Sequence, residues 1–139
     1  NLLGSYGYVN ARIFNDGTNV LADGKRPTNI PVDNGSLAMK YKFSGTTLKG
    51  LSIHTGVVYV GQSYPETTSN NAPEVRLILP SYYTVEIGLD YNWVTEWHGI
   101  KLTHSIGVSS TNALNRDYVN VNRTAQSSRG YFISYTLKH

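Results

Sequence analysis

This sequence contains no cysteine, which excludes a disulfide scaffold, thiolate metal sites and a thiol nucleophile. It contains no apolar run approaching the roughly eighteen residues of a transmembrane helix. Helical periodicity is nearly absent, with no i, i+3, i+4 stripe along the 139 residues. Charge is sparse too: charged residues make up 15% and the formal net charge is +3. The Lys and Arg residues are scattered rather than clustered, which argues against a nucleic-acid partner. No nucleophile elbow, phosphate-binding loop or metalloprotease motif occurs, so no enzyme, cofactor or metal site is expected. No signal peptide is visible and the first residue is Asn1. That points to a processed product or a piece of a longer chain.

What is present is tyrosine, 11 residues against 3 Phe, and a polar background of Ser, Thr, Asn and Gly. Tyrosine has one apolar end and one wet end and suits a boundary between two media. Alternation with period two recurs along the chain. It predicts strands over Ser5–Phe14, Ser36–Phe43, Leu51–Gly61, Tyr82–Trp93, Ile100–Ser110 and Gly130–Lys138. The pattern is clearest in SYYTVEIGLDYNW, where Tyr83, Val85, Ile87, Leu89, Tyr91 and Trp93 share one face. The opposite face carries Glu86 and Asp90. Elsewhere Lys40 and Lys42 oppose Leu37, Met39, Tyr41 and Phe43; His54 opposes Ile53 and Val57; Lys101 opposes Ile100 and Leu102. In the first strand Gly7, Val9, Ala11 and Ile13 are expected opposite Tyr6, Tyr8, Asn10 and Arg12.

The connections alternate long, short, long, short, long. In an antiparallel meander this gathers all long loops at one end and all short turns at the other, the layout of an outer-membrane barrel. The fold class expected is therefore all-β: an antiparallel meander of six long strands, forming a segment of a transmembrane-type barrel. The apolar face would meet outer-membrane lipid, with Tyr83 near one interface and Tyr91 and Trp93 near the other. The polar face, with Arg12, Lys40, Lys42, His54, Glu86, Asp90 and Lys101, would line the lumen. His104 falls on the apolar side between Leu102 and Ile106, which conflicts with a place in mid-bilayer. Glu86 and Asp90 are expected to pair across strands with Lys101 or Lys42.

The phrases GYVNARIF, GKRPTNIPVDNGSLAMKY, GVVYVGQSY, LPSYYTVEIGLDY, TNALNRDYVN and SSRGYFISYTLKH, in this order, resemble the C-terminal part of a TonB-dependent outer-membrane receptor of the siderophore kind. The resemblance spans nearly the whole chain and implies uptake of a ferric siderophore. It also implies that long-loop residues Arg26, Tyr64, Arg76, Arg116 and Tyr118 could contact an anionic, aromatic ligand. The family's plug and TonB-binding segment would lie N-terminal to these strands, so residues 1–139 are expected to be a single barrel segment without a plug. The chain ends in Lys138 and His139, whereas the family usually ends in an aromatic residue.

Six strands do not close a membrane barrel; the smallest have about eight, and receptors of this kind about 22. The expected partners are the remaining barrel strands or other copies of the chain, joined through the edge strands. Two further readings are a receptor-derived β protein that self-assembles by edge pairing at the cell surface, and a soluble β-sandwich binding module.

Overall fold

The computed structural model describes residues 1–14, 23–64, 78–119 and 128–139, together with the backbone of 125–126. These form β1 (Leu2–Tyr8), β2 (Asp33–Lys42), β3 (Leu51–Val60), β4 (Tyr82–Trp97), β5 (Ile100–Thr111), the short pair β6 (Tyr118–Val119) and β7 (Ala125–Gln126), and β8 (Gly130–Lys138). There is no helix among the described residues. Six strands make one open antiparallel sheet in the order β1-β2-β3-β4-β5-β8. The small β6–β7 pair lies within the connection from β5 to β8.

The two short turns sit at one end of the sheet and the three long connections at the other, as the loop lengths imply. The first short turn closes on Gly50, whose φ is +95°; a side chain there would overlap the Asn92 carbonyl oxygen. The second is tighter than its sequence suggests. Trp97 pairs with Ile100, leaving a two-residue loop of His98 (φ 49°) and Gly99 (φ 79°). Both central residues have positive φ, which matches the right-handed twist of the flanking strands. β4 therefore runs four residues past the expected end at Trp93.

The first strand departs most from expectation. It is Leu2–Tyr8 rather than Ser5–Phe14, and its faces are reversed. Leu2 pairs with Met39 and Tyr6 with Gly35, so Leu2, Gly4, Tyr6 and Tyr8 lie on the apolar side. Beyond Tyr8 the chain continues as loop: Val9 N donates to Val32 O at 2.8 Å, and Ile13 N to Lys25 O at 2.8 Å.

The described strands make a single layer and so enclose no interior. Among the described residues the sole buried hydrophobic side chain is Leu79, 7% exposed, at the base of the second long connection. There its backbone bridges to Ser63. The aliphatic residues of the strands stand open: Ile87 is 44% and Ile133 is 78% exposed. A sheet that buries one face in water needs a second layer against it, and the described residues supply none.

Candidate functional site

Register places every strand residue on one of two faces, since directly paired residues in an antiparallel ladder share a face. Tyr83, Val85, Ile87, Leu89, Tyr91 and Trp93 all lie on the apolar face, as their alternation requires. At the long-loop end Tyr6, Gly35, Tyr59 and Tyr83 form one row across four strands. At the turn end Leu51, Tyr91, Ile106 and Tyr135 form another. Beside that second row Tyr41 packs edge-on against Phe43, centroids 4.9 Å apart, and Tyr91 stacks with Trp93 at 5.6 Å. Aliphatic residues fill the space between: Leu37, Met39, Val57, Val85, Ile87, Leu89 and Val108. Tyr83 and Trp93 are ten positions apart on β4, about 34 Å of strand at roughly 3.4 Å per residue. Tilted by about 40°, that span covers about 25 Å along a membrane normal, the height of a barrel's lipid-facing band.

His104 fits this pattern rather than contradicting it. It is paired with Trp93, level with the turn-end aromatic band and not in mid-face. Its ring stacks on Trp93 at 4.9 Å and 6°. Its Nε2 lies 2.8 Å from the Thr95 hydroxyl and its Nδ1 2.8 Å from the Tyr135 hydroxyl. A neutral imidazole offers one donor and one acceptor, and a hydroxyl can complement either. Both ring nitrogens are therefore satisfied without charge.

The polar face holds Lys40, Lys42, His54, Glu86, Asp90 and Lys101, and its charges meet over β3 and β4. Lys40 Nζ lies 2.7 Å from Asp90 Oδ2. The Ser52 hydroxyl donates to the same oxygen at 3.3 Å. His54 Nδ1 is 3.4 Å from it, close enough for an ion pair but outside hydrogen-bond alignment. Two glycines make the cluster possible. A side-chain carbon on Gly88 would occupy the place of the His54 ring, and one on Gly107 would come within 3.0 Å of Asp90 Oδ1. The cation expected for Asp90 was Lys42 or Lys101. Its partner is instead Lys40, which reaches it diagonally across β3, although Lys42 shares a row with Asp90 through Ser52; Lys101 sits opposite Glu96. Arg12 is not on this face. It lies beyond β1, where its Nη1 donates to the Gly24 carbonyl at 3.0 Å.

The loop residues proposed for ligand contact do not gather at one point. Arg116 Nη2 donates to the Tyr83 hydroxyl at 2.6 Å, and its guanidinium lies 4.3 Å from the centre of the Tyr83 ring, at the rim of the apolar face. Tyr118 stacks on Tyr82 at 4.2 Å, at the rim of the polar face. Arg26 Nη1 donates to the Val9 carbonyl at 2.6 Å. The Tyr64 carbonyl accepts from Asn29 N at 2.8 Å, so it helps join the first two long connections. Arg76 lies outside the described residues. Sequence reasoning passed over Arg129, whose Nη1 donates to the Tyr131 hydroxyl at 3.2 Å, and Asn112, whose side chain closes a turn on Arg116 N and O at 3.0 and 2.8 Å. Each Arg–Tyr pair crowns a strand end, and a loop arginine near a strand-terminal tyrosine was the available signal.

Fold and faces together define a class: an open antiparallel segment of barrel type, one face apolar between two aromatic bands and the other polar. The comparisons agree with that class at a distance. The chain is 28% identical over 117 residues to the metal-pseudopaline receptor CntO of Pseudomonas aeruginosa strain UCBPP-PA14, a match covering 84% of this chain and 14% of the receptor. The CntO of a second strain of the same species, ATCC 15692, matches with the same identity and coverage. No family model matches. The chain thus has a distant receptor relationship and spans about 14% of the length of the curated relatives it matches.

Proposed function

We propose that these residues form six consecutive strands of a bacterial outer-membrane receptor barrel of the TonB-dependent kind, which takes up a metal chelate such as a ferric siderophore. The observation that carries the reading is the single-layered sheet. Its apolar face is open between two aromatic bands, while on its polar face Lys40, Ser52 and His54 gather on Asp90. In water that arrangement leaves an apolar surface far larger than soluble proteins expose; in a bilayer it is the expected lipid-facing surface. The long connections then lie outside the cell and the two short turns in the periplasm.

The free edges of the sheet support further strands as the partner. Neither β1 nor β8 has a neighbour on its outer side among the described residues, and unpaired strand edges are unfavourable in lipid. Further strands of a longer polypeptide close the sheet most simply. Free edges also favour a second reading, in which copies of the chain pair edge to edge into a surface assembly. A soluble sandwich finds no support in a sheet with one layer.

Tryptophan fluorescence in vesicles tests the reading. Both tryptophans of the chain, Trp93 and Trp97, project from the turn end of the apolar face. The polypeptide carrying these residues is reconstituted with lipids brominated near the headgroup or near the chain terminus. The signal assigned to the two residues, by difference from a Trp93→Phe, Trp97→Phe variant, is expected to be quenched more strongly by the headgroup-proximal bromines. No quenching at either depth would reject the membrane reading. Cross-linking of β1 to β8 of a second copy would favour self-assembly over a longer barrel.

A further inference from the structure

On the polar face Lys40 stands midway between two carboxylates. It pairs with His54, and His54 pairs with Gly88. Glu86 and Asp90 flank Gly88 on the same face of β4, so both lie on diagonals from Lys40 across β3. The diagonal to Glu86 passes Gly56, which pairs with Glu86 and has no side chain in the way. Lys40, His54, Gly56 and Glu86 line one hollow of about 270 Å³. Lys40 is committed to Asp90, with Nζ 2.7 Å from Oδ2. Among the described residues the Glu86 carboxylate has neither an ion pair nor a hydrogen bond.

His54 is the unsettled member of the cluster. Its Nδ1 is buried without a hydrogen-bond partner, although Asp90 Oδ2 is 3.4 Å away. Without a proton that nitrogen presents a lone pair to a carboxylate; with one it presents a donor. Oδ2 already receives Lys40 and the Ser52 hydroxyl, which fill its two lone pairs. A third donor enters only by displacing one of them, and two cations on one oxygen repel each other. The charged groups facing the imidazole are Lys40 and Lys42 from β2 and Glu86 and Asp90 from β4. Lys42 shares the Asp90 row through Ser52, so its charge adds to that repulsion. β5 brings only Gly107 and Ser109 opposite Asp90 and Gly88. From the β1 side the Asn1 nitrogen, donating to the Lys40 carbonyl at 2.8 Å, closes the hollow.

We propose that His54 is a proton-operated selector that decides which carboxylate Lys40 holds. With a neutral imidazole Lys40 stays on Asp90 and Glu86 is bare. When Nδ1 takes a proton from water, the imidazolium closes on Asp90 and Lys40 crosses Gly56 to Glu86. The hollow thereby alternates between a bare negative charge and a neutral pair. The inference rests on the register of β2, β3 and β4 and does not depend on what covers the apolar face.

Double-mutant cycles at two pH values test it. The full polypeptide carrying these residues is folded in uncharged detergent micelles. It is unfolded with urea at roughly pH 8 and roughly pH 5.5, a span in which histidine changes charge and ordinary carboxylates do not. The cycle of Lys40→Met with Asp90→Asn is expected to show a coupling of about fivefold in the folding constant at the higher pH, the upper end for a partly exposed pair. At the lower pH that coupling is expected to vanish. The cycle of Lys40→Met with Glu86→Gln is expected to do the reverse. In a His54→Gln background the Lys40–Asp90 coupling is expected at both pH values. Couplings that ignore pH in the parent, or a pH dependence that persists in His54→Gln, overturn the inference. Because a cycle fails if one variant does not fold, the parent and His54→Gln are also compared by NMR of 13C-dimethylated lysines, with Lys40 assigned from Lys40→Arg. The Lys40 signal is expected to move between the two pH values in the parent and to hold still in His54→Gln. The same movement in both proteins, or none in either, overturns the inference.

Discussion

The two faces of β4 are made by the same sixteen residues, yet they solve opposite problems. On the polar face, side chains bend toward one another: Lys40, Ser52 and His54 converge on Asp90, over glycines that leave them room. On the apolar face, the aliphatic side chains between the aromatic bands have no second layer against them among the described residues: Ile87, Leu89 and Val108 are 44%, 48% and 47% exposed. The difference teaches that the odd-numbered residues of β4, not the even-numbered ones, make the face that the proposed bilayer would cover.

The comparison breaks most sharply at its centre. Ile87→Lys places a charge between the aromatic bands and is expected to destabilise the inserted state by about 2–4 kcal/mol. Glu86→Leu, its neighbour on the polar face, is expected to cost less. Urea unfolding of the two variants in vesicles compares them directly. If Ile87→Lys is as stable as the parent while Glu86→Leu is not, the faces are assigned backwards.

A smaller effect sharpens the polar side. Gly88→Val drives the His54 ring from its place and is expected to cost roughly 1–3 kcal/mol, the usual range for overpacking. His54→Ala removes the obstacle, so the double variant should lose less than the sum of the two single changes. Strict additivity would mean that the ring does not rest over Gly88. The smallest effect is at the turn-end band. His104→Phe keeps the stack on Trp93 but leaves the Thr95 and Tyr135 hydroxyls without their shared partner. The expected loss is about 1 kcal/mol, and no loss in the same unfolding assay would mean that these two hydrogen bonds do not hold the band together.

Much of this was readable in advance because a sheet has a period of two and the pattern was unbroken. From Ser36 onward, alternation located each long strand within a few residues and assigned both faces. It failed at β1 because tyrosine was counted there as polar. Tyr6 and Tyr8 are band residues whose rings belong with Leu2, while Val9 and Ile13, apolar and β-branched, belong to a loop. The end of β4 was missed for a related reason: His98–Gly99 is a hairpin turn whose first residue is not the usual Asn or Asp. The partner of Asp90 could not be read at all. It depends on the registers of β2 on β3 and of β3 on β4 together, and a one-residue slip in either would turn the face over. The Arg129–Tyr131 pair had a signal in its two-residue spacing, whereas the Arg116–Tyr83 pair lay beyond reach, since loop conformation decides it.

The two-residue turn at His98–Gly99 also bears on the order of events when the chain folds. Joining β4 to β5 closes the shortest loop in the sheet, and the entropy of closure rises with loop length. The other long-strand pairings must close either the turn after Phe43 or a connection of about twenty residues. The β4–β5 hairpin is therefore expected to form first and to serve as the template on which β3 and β8 are laid from opposite sides. Gly99 adopts φ 79° with nothing within 4 Å of its missing side chain, so Gly99→Ala adds backbone strain without a clash. It should slow folding in proportion to the stability it removes, whereas a comparable loss at Gly50 should mainly speed unfolding. Assembly of this sheet would then radiate from its middle, with the two edges the last to settle.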